Sequence, residues 1–192
     1  MPILKKVRLS ETMALKRGRK ATGVMRVAFS GSSLGQVIVA SSDRGITAVL
    51  IGDDRDALRQ NLAQRFPDAS LLDADNELNS VAAQVVGYIE SPGGAFEVPL
   101  DLQGTDFQRT VWTALRDIPA GATASYSEIA NRIGRPDSVR AVAGACGANL
   151  IAVIVPCHRV IGKDGAMTGY AWGIHRKVAL LQREKEKRGR GS

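Results

Sequence analysis

The sequence predicts an α+β fold in which a small antiparallel sheet with helices precedes a mostly helical half. Three observations carry that expectation. Three short β-rich runs stand in succession: VMRVAF (24–29), GQVIVAS (35–41) and ITAVLI (46–51). Gly31-Ser32-Ser33 and Ser42-Asp43-Arg44-Gly45 separate them, as hairpin turns do. From Thr105 onward the apolar period becomes helical, and two capping boxes, Thr105-x-x-Gln108 and Ser125-x-x-Glu128, mark helix starts.

Composition narrows the class. A chain of 192 residues, 44% hydrophobic, can bury one good core or two small ones. No apolar run approaches the roughly 20 residues of a membrane span, and the basic start has no stretch of signal-peptide length. Two cysteines argue against a disulfide scaffold and fit a reducing cytosol, so a cytoplasmic protein is expected. The net charge of +7 is uneven. Residues 1–26 hold eight Lys/Arg against one acid, whereas residues 27–103 hold four against eleven. Residues 174–192 hold seven against two. Such asymmetry fits one face that meets a polyanion, or simply solvated termini.

In order along the chain, residues 1–22 read as a basic flexible arm containing Lys16-Arg17-Gly18-Arg19-Lys20. An N-terminal scaffold domain is expected over 23–101. After its three strands, Leu58, Leu62 and Phe66 recur four apart, a helical stripe that Pro67 ends. A second helix is expected from Asp75 to Ile89, with Leu78, Val81, Val85 and Ile89 on one face. Pro92-Gly93-Gly94 breaks it, and AFEVPLD (95–101) reads as a short strand.

A C-terminal domain is expected over 102–188, with 189–192 as a tail. Phe107, Val111, Leu115 and Ile118 form a helical face stopped by Pro119. The next helix, YSEIANRI, closes at Gly134, and Pro136 introduces another over about 137–148. Helix, tight turn, helix is the outline of a helix-turn-helix. In the second helix, Val139, Val142, Ala143 and Cys146 read as the inward face, while Arg140, Gly144, Gly147 and Ala148 form a stripe of little bulk. Each helical glycine costs about 1 kcal/mol against alanine. Two compensations are open: packing against a neighbouring helix, or entry into a narrow DNA groove with Arg140 as the one long cation.

LIAVIVP (150–156) reads as a buried strand that delivers Cys157, with His158 and Arg159 following. Cys157 is either a core cysteine or a nucleophile; the second needs a base beside the thiol, hence a turn after Pro156. No spacing of the cysteines and histidines matches a metal site. In the last helix, about 174–187, Ile174, Val178 and Leu181 mark the buried stripe. Glu184 extends it, as the third member of a Cys-His-Glu relay or as an exposed helix-end carboxylate.

The string PCHRV (156–160) resembles the active-site signature of the O6-alkylguanine-DNA alkyltransferases, or methylated-DNA–protein-cysteine methyltransferases. Its surroundings are similar too: FQRTVWTALRDIPAGATASYSEIA, RAVAGACGAN, Gly169-Tyr170-Ala171-Trp172-Gly173 and RKVALLQRE. The likeness runs through about 97–188 and more weakly over 24–96, where DRGITAVLIGDD resembles the C-terminal half of Ada-type members.

This resemblance implies a ribonuclease H-like N-terminal domain and direct-reversal DNA repair without metal or cofactor. The alkyl group of O6-alkylguanine, or of O4-methylthymine, would pass irreversibly to Cys157 from a base flipped out of duplex DNA. It implies that His158 deprotonates the thiol through a water, that Glu184 polarises His158 and that Asn149 bonds within the network. Tyr126 would protonate the departing base and help turn its nucleotide. Arg140 would fill the gap in the stack, with Ala141, Gly144, Tyr126 and Arg159 also in the DNA-binding set. Tyr170 would wall the pocket, the backbone at Cys157 and Val160 would read the guanine edge, and Ala171 would tune pocket polarity. A monomer acting on double-stranded DNA, with no membrane partner, is the expected form. Three rivals are an alkyltransferase-like binder, disfavoured by Cys157 itself, a helix-turn-helix regulator and a thiol hydrolase.

Overall fold

The computed structural model describes residues 23–93 and 96–190; the basic arm expected over 1–22 lies outside them. β1 (Gly23–Ser32), β2 (Gly35–Ser42) and β3 (Gly45–Gly52) form the expected antiparallel meander. α1 (Arg55–Arg65) starts at Asp54, whose carboxylate caps the Ala57 N–H, and buries Leu58 and Leu62. α2 (Asn76–Glu90) is capped by Asp75 and buries Leu78, Ala82, Val85 and Ile89.

One strand was not expected. β4 (Ala69–Asp73) pairs parallel with β1, giving the order β3-β2-β1-β4. Its ASLLD has no clean alternation to announce it, because its side chains are half-buried or exposed. At the opposite edge, β3 meets single bridges rather than a strand. Ile46 pairs with Leu100, and Val49 with Ile151. AFEVPLD is therefore corrected: among its described residues only Leu100 pairs, since Pro99 lacks an N–H and cannot continue a ladder.

β2 and β3 carry unbroken buried runs, Val37–Ala40 and Ile46–Ile51, because both faces of the sheet centre are covered. α1 lies against β2 and β3, and α2 against β1 and β2. The second bridge also ties the sheet to the chain leading into PCHRV: Val49 N–H donates to Leu150 O (2.8 Å) and Ala152 N–H to Val49 O (2.9 Å).

The second half begins with α3 (Asp106–Arg116), whose complete capping box joins Thr105 and Gln108. β5 (Ala124–Ser125) pairs parallel with β6 (Val160–Ile161). The Ser125–Glu128 capping box opens α4 (Tyr126–Arg132), and Gly134 takes φ +68° in the turn, a conformation that disfavours side chains. A 3₁₀ turn from Pro136 leads into α5 (Val139–Gly147). α6 (Ile174–Arg190) closes the described fold, and α5 packs on both α3 and α4. Trp112 joins α3 to α5 through Nε1–H to Ala145 O (2.8 Å).

Two helix faces differ from expectation. On α5 the buried residues are Val142, Ala145 and Cys146, while Val139 and Ala143 are exposed. On α6, Ile174 and Val178 are exposed, and the inward stripe is Lys177, Leu180, Leu181 and Glu184. That stripe keeps the i, i+3, i+4, i+7 spacing, but two of its members are charged, so a search for apolar periodicity misplaces it.

Candidate active site

The segment before Cys157 is buried but is not a strand. Only Ile151 finds a bridge partner, so the following backbone groups bond locally. Ile154 N–H reaches Ala152 O (2.7 Å) around Val153, which sits at φ 68°. Cys157 N–H reaches Val155 O (2.8 Å) around Pro156 at φ −82°, ψ 61°. These are two successive γ-turns, the first of the rare positive-φ kind. A β-branched residue there costs about 1–3 kcal/mol, which the surrounding packing must hold. Asn149 stitches the turns together. Its Oδ1 accepts from Ile151 N–H (2.9 Å), and its Nδ2 donates to Val155 O (2.8 Å) and Cys157 Sγ (3.2 Å).

Cys157, His158 and Arg159 form a 3₁₀ turn, the bend that a base beside the thiol requires. All three are buried, and His158 is fully so. Its Nε2 lies 2.8 Å from Glu184 Oε1. Burial alone would raise the Glu184 pKa. Bonds from His158, Arg159 and the Gly121 N–H outweigh that and hold it down at about 2. An ionised carboxylate only accepts, so Nε2 carries the proton and Nδ1 presents its lone pair. Nδ1 is buried without a partner among the described residues. Burial lowers the His158 pKa despite Glu184, leaving a neutral imidazole. Burial also raises the Cys157 pKa, against the opposing pull of Asn149 and Lys177. The resting pair is thus thiol and imidazole.

Arg159 is not at the surface, which corrects its expected DNA contact. It is 4% exposed, its Nη2 lies 2.9 Å from Glu184 Oε1, and its Nη1 donates to Ile118 O (2.5 Å). Its charge is consumed by holding the carboxylate on which His158 leans.

Cys157 borders a cavity of about 570 Å³, lined also by Tyr126, Cys146, Gly147, Tyr170 and Ala171. Tyr126 Oη receives a long bond from Thr168 (3.4 Å), and Tyr170 Oη is buried with no partner among the described residues. Burial, then the neighbouring Cys157, pushes Cys146 up to about 12, so the second thiol of the cavity is inert. Val160 is not brought to the lining: its side chain is buried, its N–H bonds Cys157 O, and its carbonyl accepts from Lys177.

Beside the cavity mouth lies α5. Arg140, Ala141, Ala143, Gly144 and Gly147 are exposed along it, and Arg140 forms no ion pair among the described residues. A Cβ built on Gly144 or Gly147 meets nothing within 4 Å. Within the described chain, therefore, no neighbouring helix explains those glycines.

Two residues escaped sequence reasoning. Lys177 is fully buried, with Nζ donating to Val160 O (2.6 Å) and Thr168 O (2.7 Å). Arg176 is buried beside it. The usable signal was their position two and three residues past the helix start, in phase with Leu180, Leu181 and Glu184.

Comparison with known proteins gives this geometry a family. Residues 25–102 match the model of the "6-O-methylguanine DNA methyltransferase, ribonuclease-like domain", and residues 106–186 match its "DNA binding domain". The inducible methylated-DNA–protein-cysteine methyltransferase of Bacillus subtilis is 43% identical over 150 residues, 77% of this chain and 83% of that protein. The chain belongs to the 6-O-methylguanine DNA methyltransferase family. Among other family members, the Escherichia coli Ada protein, a bifunctional transcriptional activator and DNA repair enzyme, is 47% identical over 162 residues. That match covers 84% of this chain but 46% of Ada, so the chain spans about half the length of this relative. The Mycobacterium tuberculosis OGT structure in complex with DNA superposes with TM-score 0.67 at 38% identity, covering 85% of this chain and 94% of that one. Among the described residues no helix is long and apolar enough to cross a membrane.

Proposed function

We propose that this protein repairs O6-alkylguanine in duplex DNA by moving the alkyl group onto Cys157, once per molecule. The observation that carries this reading is the buried thiol at the cavity edge, followed by an imidazole whose Nδ1 has no partner among the described residues. The relay runs in one direction. Glu184 orients His158, His158 takes the thiol proton through a water as the sulfur attacks, an S–C bond forms and the C–O6 bond breaks. In balance, S–H becomes S–alkyl, and guanine regains its ring N–H. A thioether is not returned by water, so the protein is consumed. Asn149 holds the sulfur through Nδ2, and Tyr126 faces the cavity where a hydroxyl can donate to the departing base.

The base must leave the stack to reach this thiol. α5 enters the minor groove in this reading, with Arg140 filling the vacated gap and Ala141 and Gly144 allowing close backbone approach. Tyr170 and Ala171 form the wall against which the flipped base would rest. O4-methylthymine is a second expected substrate. We further assign residues 23–101 as scaffold and 102–188 as the reacting domain, acting as a monomer in the bacterial cytosol, where DNA and reduced thiols coexist.

The test is incubation with a duplex oligonucleotide carrying one O6-methylguanine, followed by intact-mass and peptide analysis. One added methyl on Cys157, with guanine restored in the DNA, is expected; Cys157→Ala should show neither. An unmodified wild-type mass, or a methyl that persists in Cys157→Ala, removes the proposal.

A further inference from the structure

We infer that Arg176 is a positioning residue through which the N-terminal sheet sets the wall of the lesion cavity. The inference rests on the alkyl-transfer reading of that cavity. Arg176 stands in the first turn of α6 and is 5% exposed. Its guanidinium points three ways. Nη1 donates to Trp172 O (2.7 Å), directly after the cavity-lining pair Tyr170 and Ala171. Nε donates to Leu34 O (2.7 Å) in the turn between β1 and β2, 142 residues away in sequence. Nη2 pairs with Asp53 Oδ1 at the end of β3. One planar cation thus joins the cavity wall to two corners of the sheet, using the fork geometry that lysine lacks.

The wall has little else to hold it from that side. Thr168–Trp172 has no helix or strand of its own. Its start is held by Lys177 on Thr168 O, within the C-terminal half. Its end is held by Arg176 and by Arg65 of α1, whose Cζ lies 6.0 Å from the Trp172 ring centre. On the opposite side, the same sheet supports the approach to Cys157 through the Val49–Ile151 bridge. The N-terminal half therefore meets both sides of the cavity, the approach to the thiol through a backbone bridge and the end of the tyrosine wall through Arg176 and Arg65. Loss of the Arg176 bonds should let Tyr170 drift relative to Cys157, so that a bound base is seated less often in line with the sulfur.

Arg176→Met keeps the side chain's length and removes its donors. Methyl transfer from saturating O6-methylguanine duplex should slow roughly tenfold, with a similar loss on free O6-benzylguanine, because the wall seats the base however it arrives. Affinity for undamaged duplex should stay as in wild type, since α5 is untouched. Arg176→Lys, able to reach one carbonyl, should recover part of the rate. Asp53→Ala covers the case in which Arg176→Met fails to fold. Its carboxylate is 87% exposed, so folding should persist while transfer slows roughly twofold to fivefold. Wild-type transfer rates in folded Arg176→Met or Asp53→Ala overturn the inference. So does a parallel loss of duplex affinity, transfer and thermal midpoint with no recovery in Arg176→Lys, the mark of a merely structural role. If the wild-type protein transfers no methyl at all, the alkyl-transfer reading is what has failed.

Discussion

Glu184→Gln is expected to cost about 3–5 kcal/mol of stability and to slow alkyl transfer by roughly 100-fold or more. The carboxylate is 1% exposed and receives His158, Arg159 and the Gly121 N–H. Glutamine preserves its shape but not its charge, so the Arg159 guanidinium is left buried without a counter-ion. Its amide also no longer favours a proton on His158, which is the state the thiol must create. Stability and chemistry can be separated. Replacing Glu184 and Arg159 together by leucine removes both buried charges and should recover much of the stability. Transfer should stay low, because His158 still lacks its carboxylate. Urea unfolding and single-turnover rates on the two variants decide the matter; a double variant that regains transfer would dismiss Glu184 from the relay.

The same group should shape acid unfolding in two stages. His158 is neutral when folded, with its pKa lowered, so the unfolded chain binds the extra proton first. Its contribution is complete above the ordinary value of 6.5 and declines as pH falls below it. Glu184, lowered from 4.5 to about 2, contributes stability that is complete above 4.5 and is lost as pH falls toward 2. Thermal midpoints should therefore be flat near neutrality, begin to fall below about pH 6.5 and fall more steeply below about pH 4.5. A midpoint constant from about pH 7 to pH 3 contradicts both assignments.

How much of this was legible in the sequence depends on whether the signal was local. The hairpins, both capping boxes and α1 through α4 could be read, because turn residues, caps and apolar spacing act within a few positions. The run before Cys157 misled, since VIVP has strand composition but no neighbouring strand, and the chain satisfies its backbone with γ-turns instead. β4 was missed because its side chains show no clean alternation and its partner, β1, lies 46 residues earlier (Gly23 opposite Ala69). The site divides likewise. PCHRV, Asn149 and Glu184 could be named by resemblance, whereas the buried roles of Arg159, Arg176 and Lys177 could not. Long cations are read as surface by default, and only three-dimensional proximity shows that each reaches buried oxygen acceptors.

The glycines of α5 allow a prediction in which stability and function move in opposite directions. Gly144 is exposed in mid-helix, and a Cβ there meets no atom within 4 Å. If it served folding alone, it would be a poor choice, since glycine costs a helix about 1 kcal/mol. Gly144→Gln should accordingly stabilise the free protein by roughly that amount. On duplex DNA the result should reverse. A long side chain on the groove-facing stripe would hold the helix away from the bases, and losing even two close contacts at about 1–3 kcal/mol each gives on the order of 100-fold slower repair. Reaction with free O6-benzylguanine should be little changed, because Gly144 does not line the cavity. A variant that is more stable, reacts normally with the free base and fails on the duplex would show that the helix gives up stability for groove access. Unimpaired duplex repair would instead mean that another surface meets the DNA, and the roles given to Arg140 and Ala141 would go with it.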